Sequence, residues 1–176
     1  MDIRPVNPED LTELFDHIRT TFTNTYSVYN TSENMKRYLL NDLSDLQLIN
    51  EFENSNSHFY LMKNNNGICG YLKLNRKTAQ TEILDCNAVE IERIYVDQSI
   101  QRSGLGKEFI SFSINKSQEW NSSYLWLGVW SKNENAIGFY KHMGFEIFDT
   151  HSFLLGTDTQ IDYIMKLTRV EPTSKT

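Results

Sequence analysis

The sequence contains few of the residues on which stapled, fibrous or metal-held proteins depend. Its 176 residues include 2 cysteines, 3 prolines and 8 glycines. Cys69 and Cys86 are not in a CxxC spacing, and the 4 histidines are scattered without HExxH pairing, so we predict no metal site. The low proline and glycine counts exclude a fibrous or low-complexity chain. A chain of this length buries roughly 70% of the surface that its unfolded form exposes, so its core needs neither disulfides nor metals.

Long apolar runs and an excess of positive charge are also missing. No stretch approaches the roughly 20 apolar residues of a membrane-spanning helix, and residues 1–5 lack a basic flank followed by an apolar run. We therefore expect a cytoplasmic protein with no membrane partner. The 17 basic and 23 acidic side chains give a net charge of −6, which disfavours nucleic-acid binding. This charge suits a cationic partner, or it serves only solubility.

Apolar spacing and turn residues predict one domain over residues 1–168, followed by a disordered tail at 169–176. Antiparallel hairpins near both ends, with a β-α-β unit between them, predict an α/β (α+β) fold with a mixed sheet and helices on both faces. The predicted helices are 11–22, a second beginning at 30–33, 43–52, 104–120 and 135–143. The predicted strands are 3–6, 59–63, 68–74, 88–96, 124–129, 146–153 and 162–167.

The most informative stretch is residues 94–107, IYVDQSIQRSGLGK. It places Gly104 and Gly106 between a predicted strand and a predicted helix, where backbone N–H groups at the helix start have no partner. Glycine lets an anion such as phosphate approach the main chain, and Gln101, Arg102 and Lys107 add donors and positive charge. The alternative is an ordinary glycine-rich turn before a helix.

Two familiar phosphate-binding motifs do not fit this stretch. The Walker form fails because Gln101 stands five positions before Gly106 and Glu108 follows Lys107. The dinucleotide form fails because Phe109 occupies its third glycine position. What remains, QRSGLG at residues 101–106, resembles the (Q/R)xxGx(G/A) signature of the GCN5-related N-acetyltransferase (GNAT) family. Residues 91–96 (IERIYV) look like the fourth strand of that family, and residues 133–145 (NENAIGFYKHMGF) look like its NxxAxxxY…GF segment.

The resemblance implies a GNAT fold whose fourth and fifth strands splay apart to admit the thioester arm of acetyl-CoA. From the residues themselves, Ile94 and Val96 alternate onto one face while Ile91 falls out of phase, and a bulge near Glu92 and Arg93 would restore the phase. By resemblance, main-chain groups of this strand pair with the cofactor, and the loop that follows binds its pyrophosphate. The predicted cofactor-binding residues are Ile94, Tyr95, Val96, Gln101, Arg102, Ser103, Gly104, Leu105, Gly106, Lys107, Asn133 and Tyr140. For Asn133, which precedes a predicted helix, the alternative is that it only caps that helix.

Acyl transfer to an alkyl amine requires the removal of a proton. An amine with a pKa of about 10.4 is neutral in only about one molecule in 2,500 at pH 7. We predict Glu92, acting through water, as the base and Glu90 as its substitute; the alternatives for Glu92 are an exposed charge or a partner for Arg93. The family implies Tyr140 as the general acid for the departing thiolate, and the alternative is a core tyrosine packed behind Phe139.

The acceptor is less well specified than the cofactor. Residues 90–95 (EIERIY), 126–130 (WLGVW) and 151–153 (HSF) are similar to bacterial spermidine/spermine N-acetyltransferases of the PaiA type, which implies a small cationic amine as the substrate. Carboxylates and aromatic rings suited to a polycation are Tyr26, Tyr29, Glu33, Glu82, Asp85, Glu90 and Glu92. The alternative, which is favoured for any single one of these charges, is a solvated surface position. Two alternatives stay open: another amine (an aminoglycoside, an amino acid or a protein N-terminus) and a non-catalytic acyl-CoA sensor.

The long helix after the glycines carries a second apolar stripe, formed by Ile110 and Ile114, opposite the stripe that should pack on the sheet. Either a homodimer partner or a neighbour within the chain would cover it.

Overall fold

Seven strands and five helices are present in residues 2–97, 104–155 and 158–168, the parts of the chain that the computed structural model describes. The strands are β1 (Arg4–Pro5), β2 (Ser57–Asn64), β3 (Gly67–Arg76), β4 (Val89–Val96), β5 (Tyr124–Trp130), β6 (Glu146–Leu155) and β7 (Asp158–Thr168). The helices are α1 (Leu11–Tyr26), α2 (Ser32–Asn41), α3 (Asp45–Glu53), α4 (Leu105–Glu119) and α5 (Glu134–His142). Of the described helices, none has the length and apolar character needed to cross a membrane.

The strands form one mixed sheet in the order β1-β2-β3-β4-β5-β7-β6. The central β4 and β5 pair in parallel, whereas hairpins β2–β3 and β6–β7 pair antiparallel on either side of them. Helix α1 and its neighbours cover one face, and α4 and α5 cover the other. The prediction of a mixed α/β sheet with helices on both faces is therefore confirmed.

Side-chain caps mark the helix starts that the sequence indicated. Thr31 accepts a hydrogen bond from the Asn34 backbone N–H, and Ser44 accepts one from Gln47, so α2 and α3 are separate helices. At the tip of the β2–β3 hairpin, Gly67 has a φ of 118°, a conformation that favours glycine.

The second apolar stripe of α4 is covered within the chain. Ile110 is fully buried in the same core cluster as Phe109, and Ile114 packs against that cluster. Burial of these side chains therefore does not require a partner, and a homodimer stays a prediction.

A bulge in β4 produces the opening on which the site depends. Lys73 of β3 pairs with Arg93 but the next residue, Leu74, pairs with Ile91, so Glu92 has no opposite residue. This confirms the predicted bulge. Strands β4 and β5 pair only from Val89 with Leu125 to Ile91 with Leu127, after which they separate. The predicted splay therefore lies between the C-terminal halves of the two parallel strands.

Candidate active site

The gap between β4 and β5 opens into a cleft of about 760 Å³ that passes from the α1 face of the sheet to the starts of α4 and α5. Predicted site residues from three separate parts of the sequence meet there. Those that line the cleft are Glu92, Ile94, Tyr95, Val96, Gly104, Leu105, Gly106, Lys107, Asn133 and Tyr140. Gln101, Arg102 and Ser103 lie outside the described residues.

One end of the cleft is the start of α4. Gly104 precedes the helix with a φ of 94°, and the first helical hydrogen bond runs from the Glu108 N–H to the Gly104 carbonyl at 3.1 Å. The N–H groups of Leu105, Gly106 and Lys107 therefore have no acceptor within the helix. These donors, the positive end of the helix dipole and the Lys107 ammonium suit a diphosphate.

The two glycines of this turn serve different purposes. A Cβ built on Gly104 would meet nothing within 4 Å, so glycine is favoured there by the left-handed backbone conformation. A Cβ on Gly106 would lie 3.4 Å from the ring of Phe139, so this glycine lets α4 and α5 approach closely.

The middle of the cleft has an open strand edge. Beyond Ile91, the edge of β4 that faces β5 has no strand partner in the part of the chain that the structure describes, while its other edge remains paired with β3 up to Val96. A linear amide-containing ligand can bind such an edge as an added strand.

Tyr140 lies where α5 meets the cleft. Its ring packs 5.4 Å from Phe139 and 5.9 Å from Phe145, centroid to centroid, so it is also a core residue. Asn133 caps this helix by accepting a hydrogen bond from the Ala136 N–H at 3.2 Å. Burial, with a smaller contribution from Tyr26, raises the pKa of the Tyr140 phenol. Tyr140 therefore stays protonated as a donor at neutral pH, and its hydroxyl has no hydrogen-bond partner among the described residues.

Glu92 lies in the cleft wall within a buried group of four charges. Lys73 Nζ is 2.7 Å from Glu51 Oε2 and 2.5 Å from Glu92 Oε2. Arg93 contacts Glu51 Oε2 at 2.6 Å and Glu92 Oε1 at 3.1 Å. The structure thus contains the Arg93 pairing that was the alternative to a catalytic role. A proton on Glu92 would leave these cations poorly neutralised, so its role as the base stays a prediction.

Glu90, the predicted substitute base, does not line the cleft. It is 3% exposed and accepts hydrogen bonds from the Thr81 N–H at 2.8 Å, from the Thr81 hydroxyl and from Asn75 Nδ2 at 3.1 Å. Burial raises the pKa of Glu90 to about 7, and the negative charge of Glu92 adds to the shift. Its pKa would suit a base, but its position does not allow direct contact with an amine in the cleft.

The predicted acceptor-binding residues do not all meet. Tyr26 lines the cleft, and Tyr29 packs against Trp130 at 4.8 Å. Asp85 does not line the cleft: it accepts hydrogen bonds from the Ser123 hydroxyl at 2.6 Å and the Asn87 N–H at 2.8 Å, next to the start of β5. Because the cleft opens at the other end of β5, Asp85 is too remote to bind its contents. Glu33, exposed in the first turn of α2, does not line the cleft either.

Asp162 is a cleft residue that the sequence reasoning missed. It lies on β7 opposite Trp130, in phase with the buried Gln160 and Ile164. Its side chain is 15% exposed and lines the cleft. A carboxylate in phase with buried positions of a strand was the available signal, because such a residue faces inward.

Comparison with known proteins identifies the family. The model of the "Acetyltransferase (GNAT) family" matches residues 11–145. The chain belongs to the GNAT acetyltransferase family. It is 42% identical over 161 residues to the "uncharacterized N-acetyltransferase in pepI 3′ region" of Lactobacillus delbrueckii subsp. lactis, covering 92% of this chain and 93% of that protein.

Solved structures share the fold at lower identity. PaiA N-acetyltransferase from Thermoplasma acidophilum, in complex with coenzyme A, aligns with a TM-score of 0.77 at 22% identity, over 96% of this chain and 98% of that chain. The ribosomal-protein-S18-alanine N-acetyltransferase of Escherichia coli aligns with a TM-score of 0.68 at 16% identity, over 99% of this chain and 98% of that chain. Identities this low show the GNAT fold alone.

Membership of the family makes this chain an N-acetyltransferase, and GNAT acetyltransferases take their acetyl group from acetyl-CoA and transfer it to an amine. The described residues fit that donor: the cleft has an anion-binding helix start at one end, an unpaired strand edge in the middle and a buried phenol beside it.

Proposed function

We propose that this GNAT enzyme transfers the acetyl group of acetyl-CoA to a primary amine of a small polyamine such as spermidine or spermine. The observation that carries the proposal is that Tyr26, Trp130 and Asp162 line the same cleft. Aromatic faces and a carboxylate together favour an alkyl ammonium group. The similarity of residues 90–95, 126–130 and 151–153 to PaiA-type polyamine acetyltransferases supports the same substrate class.

In this proposal, the acetyl donor binds along the predicted residues. The N–H groups of Leu105, Gly106 and Lys107 hold its diphosphate, and the open edge of β4 at 94–96 pairs with the amides of its arm. Asn133 fixes the start of α5 and with it the position of Tyr140.

Tyr140 is proposed to assist departure of the thiolate. A phenol with a pKa near 10 giving its proton to a thiolate, whose conjugate thiol has a pKa near 8.5, is uphill by about 2 kcal/mol. Burial raises the pKa of Tyr140 further, so full transfer before bond breaking is unfavourable. The phenol therefore acts as a hydrogen-bond donor to sulfur, and it passes its proton on as it receives another from the attacking nitrogen.

Release of free thiol from acetyl-CoA, measured with a panel of amines, tests the proposal. The panel contains spermidine, spermine, an aminoglycoside, an amino acid and a peptide with a free N-terminus. A permethylated polyamine, which has the same charge but no acylable N–H, is the matched control. We expect the highest kcat/KM with spermidine or spermine and no thiol release with the control.

Two results would contradict the proposal in different ways. A kcat/KM at least tenfold higher for another amine would show the same chemistry with a different acceptor. Binding of CoA without turnover of any amine would indicate a non-catalytic sensor.

A further inference from the structure

We propose that Asp162 binds the ammonium group of the acceptor and takes its proton, and that His151 passes that proton outward to the protein surface beside Glu82. This inference deepens the proposed function and rests on it, because it requires a cationic amine in the cleft.

The position of Asp162 supports a direct contact with the acceptor. Strand β7 pairs with β5 so that Asp162 is opposite Trp130, and Asp162 Oδ2 would lie 3.9 Å from a Cβ built on Gly128. Gly128 itself lines the cleft, so the absence of a side chain leaves space beside the carboxylate. Asp162 therefore faces the part of the cleft where β5 has separated from β4.

One oxygen of the Asp162 carboxylate lacks a hydrogen-bond donor among the described residues. Its Oδ1 atom is buried and accepts no hydrogen bond from any described residue. A buried polar atom without a partner costs about 1–3 kcal/mol, more when it is charged, and an ammonium group with its N–H donors would supply what is missing. The surrounding wall fits the same ligand, because Tyr26 and Trp130 present aromatic rings to the cavity.

Behind Asp162, a short row of titratable groups leads outward. His151 Nε2 lies 3.9 Å from Asp162 Oδ2, and His151 Nδ1 lies 2.8 Å from Glu82 Oε1, although the latter approach is not aligned as a hydrogen bond. The side chain of Glu82 is 37% exposed, against 17% for that of His151. The 3.9 Å step is too long for direct transfer and requires a bridging water or a small rotation of the ring.

Other titratable groups line the same cavity from the elements around Asp162. They are His17 and Tyr26 from α1, Glu92, Arg93 and Tyr95 from β4, Asp97 directly after β4, Lys107 from α4, and Tyr140 from α5. Glu92 and Arg93 neutralise each other within their ion-pair group, and the three tyrosines are uncharged at neutral pH because burial raises their pKa values. Burial lowers the pKa of His17, which favours its neutral form. Burial also raises the pKa of Asp162, with His151 opposing the shift, which favours proton uptake.

The protons balance in this scheme. The ammonium group gives one proton to the Asp162 carboxylate and becomes a neutral amine. Its nitrogen then forms the C–N bond to the acetyl carbon as the C–S bond breaks, the sulfur takes a proton from Tyr140, and Tyr140 regains one from the new amide nitrogen. The proton on Asp162 leaves through His151 to water, so each turnover releases one amide, one thiol and one proton.

The test compares Asp162→Asn with Asp149→Asn, a matched control on the exposed edge strand β6 that does not line the cleft. We expect Asp162→Asn to lower kcat/KM for spermidine about 10- to 100-fold, the range expected for loss of a charged hydrogen bond, and to abolish the acid limb of the pH profile. The Kd for CoA, measured by calorimetry, should change less than twofold, which shows that the variant is folded. The control should match the wild type in all three measurements.

The outcomes separate this inference from the proposed function. Unchanged amine kinetics in Asp162→Asn, or an acid limb that persists, would overturn the assignment of Asp162. If the wild type prefers another amine, the polyamine proposal fails and the same variants, measured with that amine, decide the role of Asp162. If the wild type neither binds nor acetylates any amine of the panel, both fail.

His151→Gln tests the outward proton path separately. It should lower kcat and shift the acid limb while leaving the KM for spermidine within twofold. A rise in KM equal to that of Asp162→Asn would show that His151 helps to bind the amine, and would overturn its assignment to proton transfer.

Discussion

Substitution of Lys73 by methionine tests whether the buried charges beside the cleft act as a unit. Lys73 is 3% exposed, and its ammonium group contacts both Glu51 and Glu92. Together with Arg93, these residues form two cations and two anions, so the group is neutral. Methionine fills a similar volume but leaves the group with a net charge of −1 in a buried position.

The expected loss follows from that imbalance. Removing one partner of a buried ion pair costs about 3–5 kcal/mol because the remaining charge is desolvated without compensation. For a chain of this size each kcal/mol corresponds to about 2–4 °C in Tm, so Lys73→Met should lower Tm by about 6–20 °C. Urea unfolding followed by tryptophan fluorescence would measure the free energy of unfolding directly.

A double variant gives the decisive comparison. Lys73→Met combined with Glu51→Leu leaves the Glu92 and Arg93 pair, which is neutral again, so the double variant should be less destabilised than the sum of its single changes. The control is Lys116→Met, whose partner Glu119 is on the exposed surface of α4, and we expect it to change the free energy of unfolding by less than about 0.5 kcal/mol. A loss below about 1 kcal/mol for Lys73→Met, or strict additivity in the double variant, would refute the reasoning.

Three further changes test the cleft and its surroundings. Tyr140→Phe keeps the ring packing but removes the phenol O–H donor, so kcat should fall by about 10²-fold while the Kd for CoA stays nearly unchanged. Unaltered turnover would show that the phenol has no part in the mechanism. Gly104→Val places a branched side chain at a φ of 94°, next to the helix start. Calorimetry should then detect little CoA binding, although Tm falls by only about 2–8 °C. Normal CoA binding by this variant would show that the helix start is not the diphosphate site. The pKa of Glu90 is raised to about 7 from an ordinary value of 4.5, so its ionisation opposes folding increasingly as pH rises through that range. In Glu90→Gln, the new amide can accept hydrogen bonds from the Thr81 N–H and Asn75 and donate one to the Thr81 hydroxyl. Urea unfolding should therefore show that this variant is more stable than the wild type by about 1–3 kcal/mol at pH 8 and nearly equal to it at pH 4.5. No gain in stability at pH 8 would contradict the raised pKa.

Local sequence patterns were sufficient to predict the order of the helices and strands and much of the end of the cleft where α4 and α5 begin. Hydrophobic phase along β4 predicted the bulge, because the side-chain period of a strand is two and an out-of-phase Ile91 requires one extra residue. The glycines before α4 and the capping residue Asn133 were recognisable because a helix start needs particular conformations and acceptors within a few residues.

The partners of the charged side chains were decided only by the tertiary structure. Glu51 is 22 residues from Lys73 and 42 from Arg93 in the sequence, yet all three meet beside the cleft. No local spacing predicts such contacts, and the same is true of Asp162, which reaches the cleft only because β7 inserts between β5 and β6.

The sequence by itself thus determined which segments become helices and strands, where β4 bulges and where an anion can bind a helix start, because each of these depends on neighbours a few residues away. Only the packing of the sheet decided that Glu92 is ion-paired, that Asp85 does not line the cleft, and that Asp162 does. A charge takes its role from the groups that surround it in space, and those come from distant parts of the chain.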